Sequence, residues 1–194
     1  MSCTQFMKTL IIIAAVVIYL SCSTDSETSR EIYISEFGWT FQLNLETKFR
    51  DSAFDATGNI TQQFRQSGTT ESVELFSMRD DSTNWFKALA IRDTVNFDNW
   101  ENYHSTDNKW YFEQISLNPN IKIIDTTYST EIIGGESFKK EHIKYYSKKR
   151  NKTLSDYHYF GKFKRYELAI NFTFSDEAIG KKYFAILKSS RFAK

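Results

Sequence analysis

Cysteine, proline and net charge are all scarce in this chain. Two cysteines occur in 194 residues, Cys3 and Cys22, so nothing beyond Cys22 offers a thiol. That excludes a disulfide framework, a cysteine zinc site and a thiol nucleophile from the rest of the chain. The single proline, Pro119, argues against a long disordered stretch outside the N-terminal region. Lys and Arg number 25 against 24 Asp and Glu, so bulk charge selects no class of partner. One long apolar run exists, residues 10–20, and its 11 residues fall short of a membrane-crossing helix, which needs about 20. There is no Gly-x-Ser-x-Gly elbow and no glycine-rich phosphate loop. His104, His142 and His158 stand at no metal-ligand spacing. The acidic stretch Asp80-Asp81-Ser82-Thr83-Asn84 lacks the glycine and distal glutamate of a calcium loop and reads as a solvated hairpin tip. His104 reads as a surface residue, and His142 and His158 as ordinary sheet residues that meet only if their strands pair in a suitable register.

The N-terminus carries an export address. Lys8, the apolar run and small Ser21 have the order of a secretory signal. Tyr19-Leu20-Ser21-Cys22 resembles the lipobox of bacterial lipoproteins, in which the cysteine sulfur takes a diacylglycerol before cleavage; Tyr19 departs from the usual aliphatic residue. The resemblance implies a signal peptide at 1–21, lipidation of Cys22 and a membrane anchor through the N-terminal lipid. Ser23, in place of Asp, accords with sorting to the outer membrane. Residues 23–31 have no apolar side chain, so 22–31 is expected to be a solvated tether reaching some 30 Å. The remainder, 32–194, is expected to form one domain, a soluble monomer needing no cofactor and no metal.

High aromatic content, 17 Phe, 11 Tyr and 4 Trp, suits a β-rich domain. Phe37, Trp39, Phe41, Leu43 and Leu45 alternate with polar residues or glycine and predict a strand over 37–46. Residues 46–71 are polar with scattered Phe49, Phe54, Ile60 and Phe64, which allows a short helix. A hairpin is expected from 73–78 and 85–91. A helix over 98–117 would place Trp100, Tyr103, Trp110 and Ile115 near one face and stop at Asn118-Pro119-Asn120. Strands at 121–125 and 126–133 lead to Gly134-Gly135, a two-residue hairpin turn, and a return strand at 138–146. A further hairpin, 157–160 with 163–174, is expected to turn at Gly161. Ser175 is the expected N-cap of the last helix, whose apolar face holds Ile179, Tyr183, Ile186 and Leu187. Phe192 should return to the core. The fold class is α+β, an antiparallel sheet flanked by helices.

FGWTFQLN, IDTTYSTEIIGGESFKKEHIKYY and the closing FSDEAIGKKYFAILKSSRF together resemble the PsbP-like α/β/α sandwich over 32–194. That fold occurs in extrinsic photosystem subunits, in a Ran-binding nuclear import factor and in small bacterial lipoproteins. The resemblance implies an architecture and no catalytic motif, and fold alone carries no function.

Charge is unevenly distributed. Residues 139–166 hold ten bases against two acids, whereas 22–138 hold 9 bases against 19 acids. The candidate anion-binding surface comprises Lys140, Lys144, Lys148, Lys149, Arg150, Lys152, Lys162, Lys164 and Arg165, interleaved with Tyr145, Tyr146, Tyr157, Tyr159 and Tyr166. Lys140 and Lys144 should share a strand face, as should Lys162 and Lys164. Lys148 to Lys152 should lie in a loop. Export excludes nucleic acid as the partner and leaves an anionic glycolipid, anionic lipid or another envelope protein. The reading is a non-catalytic envelope lipoprotein that binds another envelope component. Its alternatives are an envelope hydrolase with an unrecognised site and a carrier of an apolar ligand.

Overall fold

The computed structural model describes residues 29–44, 49–50, 72–92, 100, 104, 112–163 and 166–193. The expected signal peptide, Cys22, the first part of the tether, most of 46–71, Lys164 and Arg165 lie outside the described residues. The elements are β1 (Ser29–Ile34), β2 (Trp39–Asn44), β3 (Phe49–Arg50), β4 (Ser72–Arg79), β5 (Trp85–Arg92), β6 (Ile121–Ile133), β7 (Glu136–Ser147), β8 (Lys152–Lys162), β9 (Tyr166–Phe174), α1 (Glu177–Ser189) and β10 (Arg191–Phe192). Strands β3-β4-β5-β9-β8-β7-β6 form one sheet and β1-β2-β10 another, with antiparallel pairing throughout. Of the expected helix at 98–117, Trp100, His104 and 112–117 are described, and all but Leu117, which is in the closing turn, are helical.

β9 is the central strand, and every residue from Glu167 to Phe174 is buried. Its even-numbered side chains, Leu168, Ile170, Phe172 and Phe174, face α1. Phe172 stacks on Phe86 at 5.5 Å and on Tyr157 at 5.1 Å, and meets Phe184 edge-on at 5.2 Å. The small sheet closes the same layer, with Trp39 and Phe41 fully buried against Phe76. Phe192 stacks on Trp39, so the chain end does return to the core. Interlocked rings of this kind bury large apolar areas and hold offset or edge geometries.

Several local expectations change. Ser29–Glu31 belong to β1 rather than to the tether, because their backbones pair with Asn44, Leu43 and Gln42. Polar side chains report exposure, not the backbone pairing beneath them. The strand expected at 37–46 begins at Trp39, since Phe37 and Gly38 form the β1–β2 turn, with Gly38 at φ +58°. The two strands expected in 121–133 are one, β6, with a bulge between Ile123 and Asp125. Gly134 and Gly135 do turn the β6–β7 hairpin, at φ +58° and +91°. A Cβ on Gly134 would also lie 2.7 Å from the Ser190 carbonyl oxygen.

Gly161 is no turn. It sits inside β8, where a Cβ would come within 2.5 Å of the Phe138 ring, so glycine is there for close packing. The two strands close instead at Phe163 and Tyr166, which exchange backbone hydrogen bonds of 3.0 and 3.2 Å. The N-cap of α1 is Asp176 rather than Ser175. Its carboxylate accepts from the Ala178 N–H at 2.7 Å, while the Ser175 N–H donates to Asn84 Oδ1 at 2.8 Å. Carboxylate and hydroxyl are comparable caps, and the Ser175 hydroxyl is 3.2 Å from the Thr83 hydroxyl instead. The tip at Asp80–Asn84 is not simply solvated, because Thr83 and Asn84 are buried. Asp81 accepts hydrogen bonds from the backbones and side chains of both, which holds its carboxyl down at about 2. Asp80 accepts from the Tyr183 hydroxyl at 2.8 Å, so the tip docks on α1.

Candidate functional site

Antiparallel register assigns each cation to a face. On β7 and β8, Lys140 lies opposite Tyr159 and Lys144 opposite Ser155, on the face that packs α1. Lys152 opposes Ser147, and Lys162 opposes Glu167, both on the far face. The expected surface is therefore divided by the sheet. Lys140 is also engaged locally: its Nζ donates to Glu131 at 2.9 Å and lies 5.7 Å from the rings of both Tyr157 and Tyr159. Lys162 is at the opposite end of β8 from the β7–β8 turn.

The remaining cations converge on one end of the sheet. Residues 148–151 form the β7–β8 turn, with Asn151 at φ +52°, and Lys148, Lys149, Arg150 and Lys152 are exposed. Lys144 is exposed just before it. The register adds Lys122, exposed on β6 opposite Tyr146, which sequence reasoning missed because it falls within the acidic half of the chain. The segment 117–120 completes this tip. The Lys148 N–H donates to the Asn120 carbonyl at 2.8 Å, and Lys148 Nζ donates to the Pro119 carbonyl at 2.8 Å. Two stretches nearly thirty residues apart thus form one platform. Two acids lie beside it: Asp125 opposite Lys144, and Glu177 across a surface groove of about 300 Å³ that Lys144 and Ile124 also line.

The far face carries a polar row. Glu141, His158, Asn171 and Lys87 lie abreast on β7, β8, β9 and β5. Glu141 and Asn171 are buried, as are Asp156 and Thr173 in the next row. The Thr173 hydroxyl donates to Asp156 at 2.7 Å, and His158 Nε2 lies 3.3 Å from the same carboxylate. His104, expected at the surface, is only 2% exposed. Its Nε2 is 2.6 Å from Glu167, which also accepts from Trp100 Nε1 at 2.5 Å. The two bonds fix Trp100 and His104 to the central strand, and the His104–Glu167 partnership, 63 residues apart, is one that no local pattern reveals. His142 and His158 do not meet, because the register puts them on opposite faces; His142 stacks on Tyr157 at 4.2 Å. Among the described residues no cluster of His, Cys, Asp and Glu has a metal-holding geometry.

The two histidines titrate in opposite senses. Burial pulls His158 down, but the hydrogen bond and charge of Asp156, with the charge of Glu141, outweigh it and leave its pKa raised. His142 is lowered, chiefly by burial. A raised folded value means that His158 contributes stability below the ordinary histidine pKa of about 6.5, lost as pH rises through the folded value. His142 acts in reverse and costs stability as pH falls from about 6.5 toward its lowered value. Proton NMR titration of the ring resonances should place His158 above His142. The reversed order would show that Asp156 does not hold the imidazolium.

The fold is the PsbP-like α+β sandwich, as the sequence motifs imply. Its likeness to solved structures includes the cyanobacterial PsbP, CyanoP, of Synechocystis, with TM-score 0.52, 10% identity and coverage of 89% of this chain and 97% of that one. LpqN of Mycobacterium tuberculosis, described as involved in cell envelope biogenesis, gives TM-score 0.47 and 8% identity over 86% of this chain and 91% of its own. A protein of unknown function from Pseudomonas aeruginosa gives 0.38 and 12% over 82% and 95%. At 10% identity, the likeness to CyanoP shows the architecture alone. No family model matches the chain, and no curated protein sequence matches it. Among the described residues no helix is long and apolar enough to cross a membrane.

Proposed function

We propose that this chain is a non-catalytic binding module of the cell envelope, anchored by lipid on Cys22, whose basic tip engages an anionic envelope component. The observation that carries the reading is the convergence of Lys122, Lys144, Lys148, Lys149, Arg150 and Lys152 on one end of the sheet. Like charges held together repel one another, and an anionic partner relieves that repulsion. Their field reaches about 8 Å at physiological salt, enough to steer a polyanion onto the tip. The Ser21-Cys22 junction and the signal-like run before it support the envelope address.

The test replaces Lys148, Lys149, Arg150 and Lys152 with Ser in the full chain. These exposed residues lie in or beside a turn, so the fold should persist. Binding to dextran sulfate at low salt should fall by at least about tenfold, because each cation near an anionic surface is worth roughly 1 kcal/mol. The difference should shrink as salt rises. Equal binding by both proteins at low salt would reduce the tip to a solvated end of the sheet.

A further inference from the structure

We infer that the tip is a bilayer-docking element: its cations meet anionic lipid headgroups while Leu117 inserts among the acyl chains. This rests on the anion-binding reading above and names the partner as an anionic membrane surface.

Leu117 is 73% exposed, the most exposed large hydrophobic side chain among the described residues. It ends the helical residues 112–116, its N–H donating to the Glu113 carbonyl at 3.1 Å. The three residues after it are tightly built. Asn118 accepts from the Asn120 N–H at 3.0 Å through its side chain and from the Ile121 N–H at 3.0 Å through its carbonyl. Lys148 then ties this turn to the basic turn by its two bonds to Pro119 and Asn120. The leucine is thus displayed on a braced platform beside the cations of the neighbouring turn. Ile124, 53% exposed, adds a second apolar side chain on β6 near Lys144.

Charge alone would serve an acidic protein partner. An exposed leucine beside a cationic platform has a different complement, a surface that is anionic outside and apolar beneath. Lys and Arg lay their aliphatic stems along such an interface and keep their charged ends at headgroup level. Apolar insertion and electrostatic attraction then add, as they do for interfacial helices. The sequence conceals the arrangement, because the turn that follows Leu117 and the basic turn are far apart in the chain and are joined by the Lys148 bonds to Pro119 and Asn120.

The experiment takes the full-length chain with Cys3→Ser and Cys22→Ser, so that no other thiol reacts, and labels it with an environment-sensitive dye at Leu117→Cys and, separately, at Ser137→Cys, an exposed position at the other end of β7. Each is mixed with vesicles containing phosphatidylglycerol or with phosphatidylcholine vesicles, both carrying a quencher on the acyl chains. The dye at position 117 should be quenched several-fold more than that at 137 in phosphatidylglycerol vesicles. Quenching should largely vanish in phosphatidylcholine, and also when Lys149, Arg150 and Lys152 are replaced by Ser with Lys148 kept to brace the turn. Equal quenching at the two positions, or a dye at 117 that stays in water, would overturn insertion. If dextran sulfate still binds in that case, the anionic reading stands and the partner is a soluble or protein polyanion. Quenching at 117 that is equal in both lipids would overturn the anionic requirement.

Discussion

Phe172→Ala should destabilise the domain by about 3–5 kcal/mol, the range for emptying a large aromatic site in a packed core. For a domain of this size that corresponds to a fall in Tm of roughly 10 °C. Phe172 is on the central strand and fully buried. Its ring touches Phe86 on β5, Tyr157 and Tyr159 on β8, and Tyr183 and Phe184 on α1. Removing it strips contacts from three elements at once. Collapse is resisted because β9 is held by strands on both sides. Phe172→Leu, which refills most of the space, should cost distinctly less. Tyr33→Ala, at a side chain 55% exposed, should stay within about 0.5 kcal/mol of wild type. Urea unfolding of the three variants checks the series. A Phe172→Ala loss no greater than that of Tyr33→Ala would mean that the layer between β9 and α1 is not the stabilising core.

Cys22→Ser should abolish lipid attachment altogether. The proposed linkage is a thioether, and a serine hydroxyl is a far poorer nucleophile than a thiolate. Metabolic labelling with an alkyne fatty acid should mark the wild type and leave the variant blank. Membrane fractions should lose the variant or hold it uncleaved. Residual attachment through the basic tip is expected to be weak and salt-sensitive, since stable anchoring generally takes two signals. Unchanged labelling of the Ser variant would end the lipid-anchor proposal. It would leave the tip reading intact, because dextran sulfate binding does not depend on Cys22.

The two tests concern different levels of legibility. The core was readable because alternation along 39–44 and 166–174 is a one-dimensional record of which side faces inward. Gly134-Gly135 was readable because a two-residue turn needs positive φ and glycine accepts it. Gly161 misled for the opposite reason: glycine serves close packing as well as turning, and the Phe138 ring that demands it is on another strand. His104 misled because its partner, Glu167, is invisible to any local pattern.

For the candidate site, the chain itself determined the supply of charge, the export-like start and the hydrophobic rhythm of the strands. These are local properties, written in neighbouring residues. It did not determine which cations would share a surface. That followed from register, because side chains alternate faces along a strand and opposed residues share one. Pairing Lys144 with Ser155 and Lys162 with Glu167 put two cations of one basic segment on opposite faces of the sheet. The same register brought in Lys122 from the acidic half, and two hydrogen bonds from Lys148 to Pro119 and Asn120 joined the turn that follows Leu117 to the basic turn. Composition counts charges, whereas the pairing of distant strands decides where they stand, because backbone hydrogen bonds set positions without regard to sequence distance.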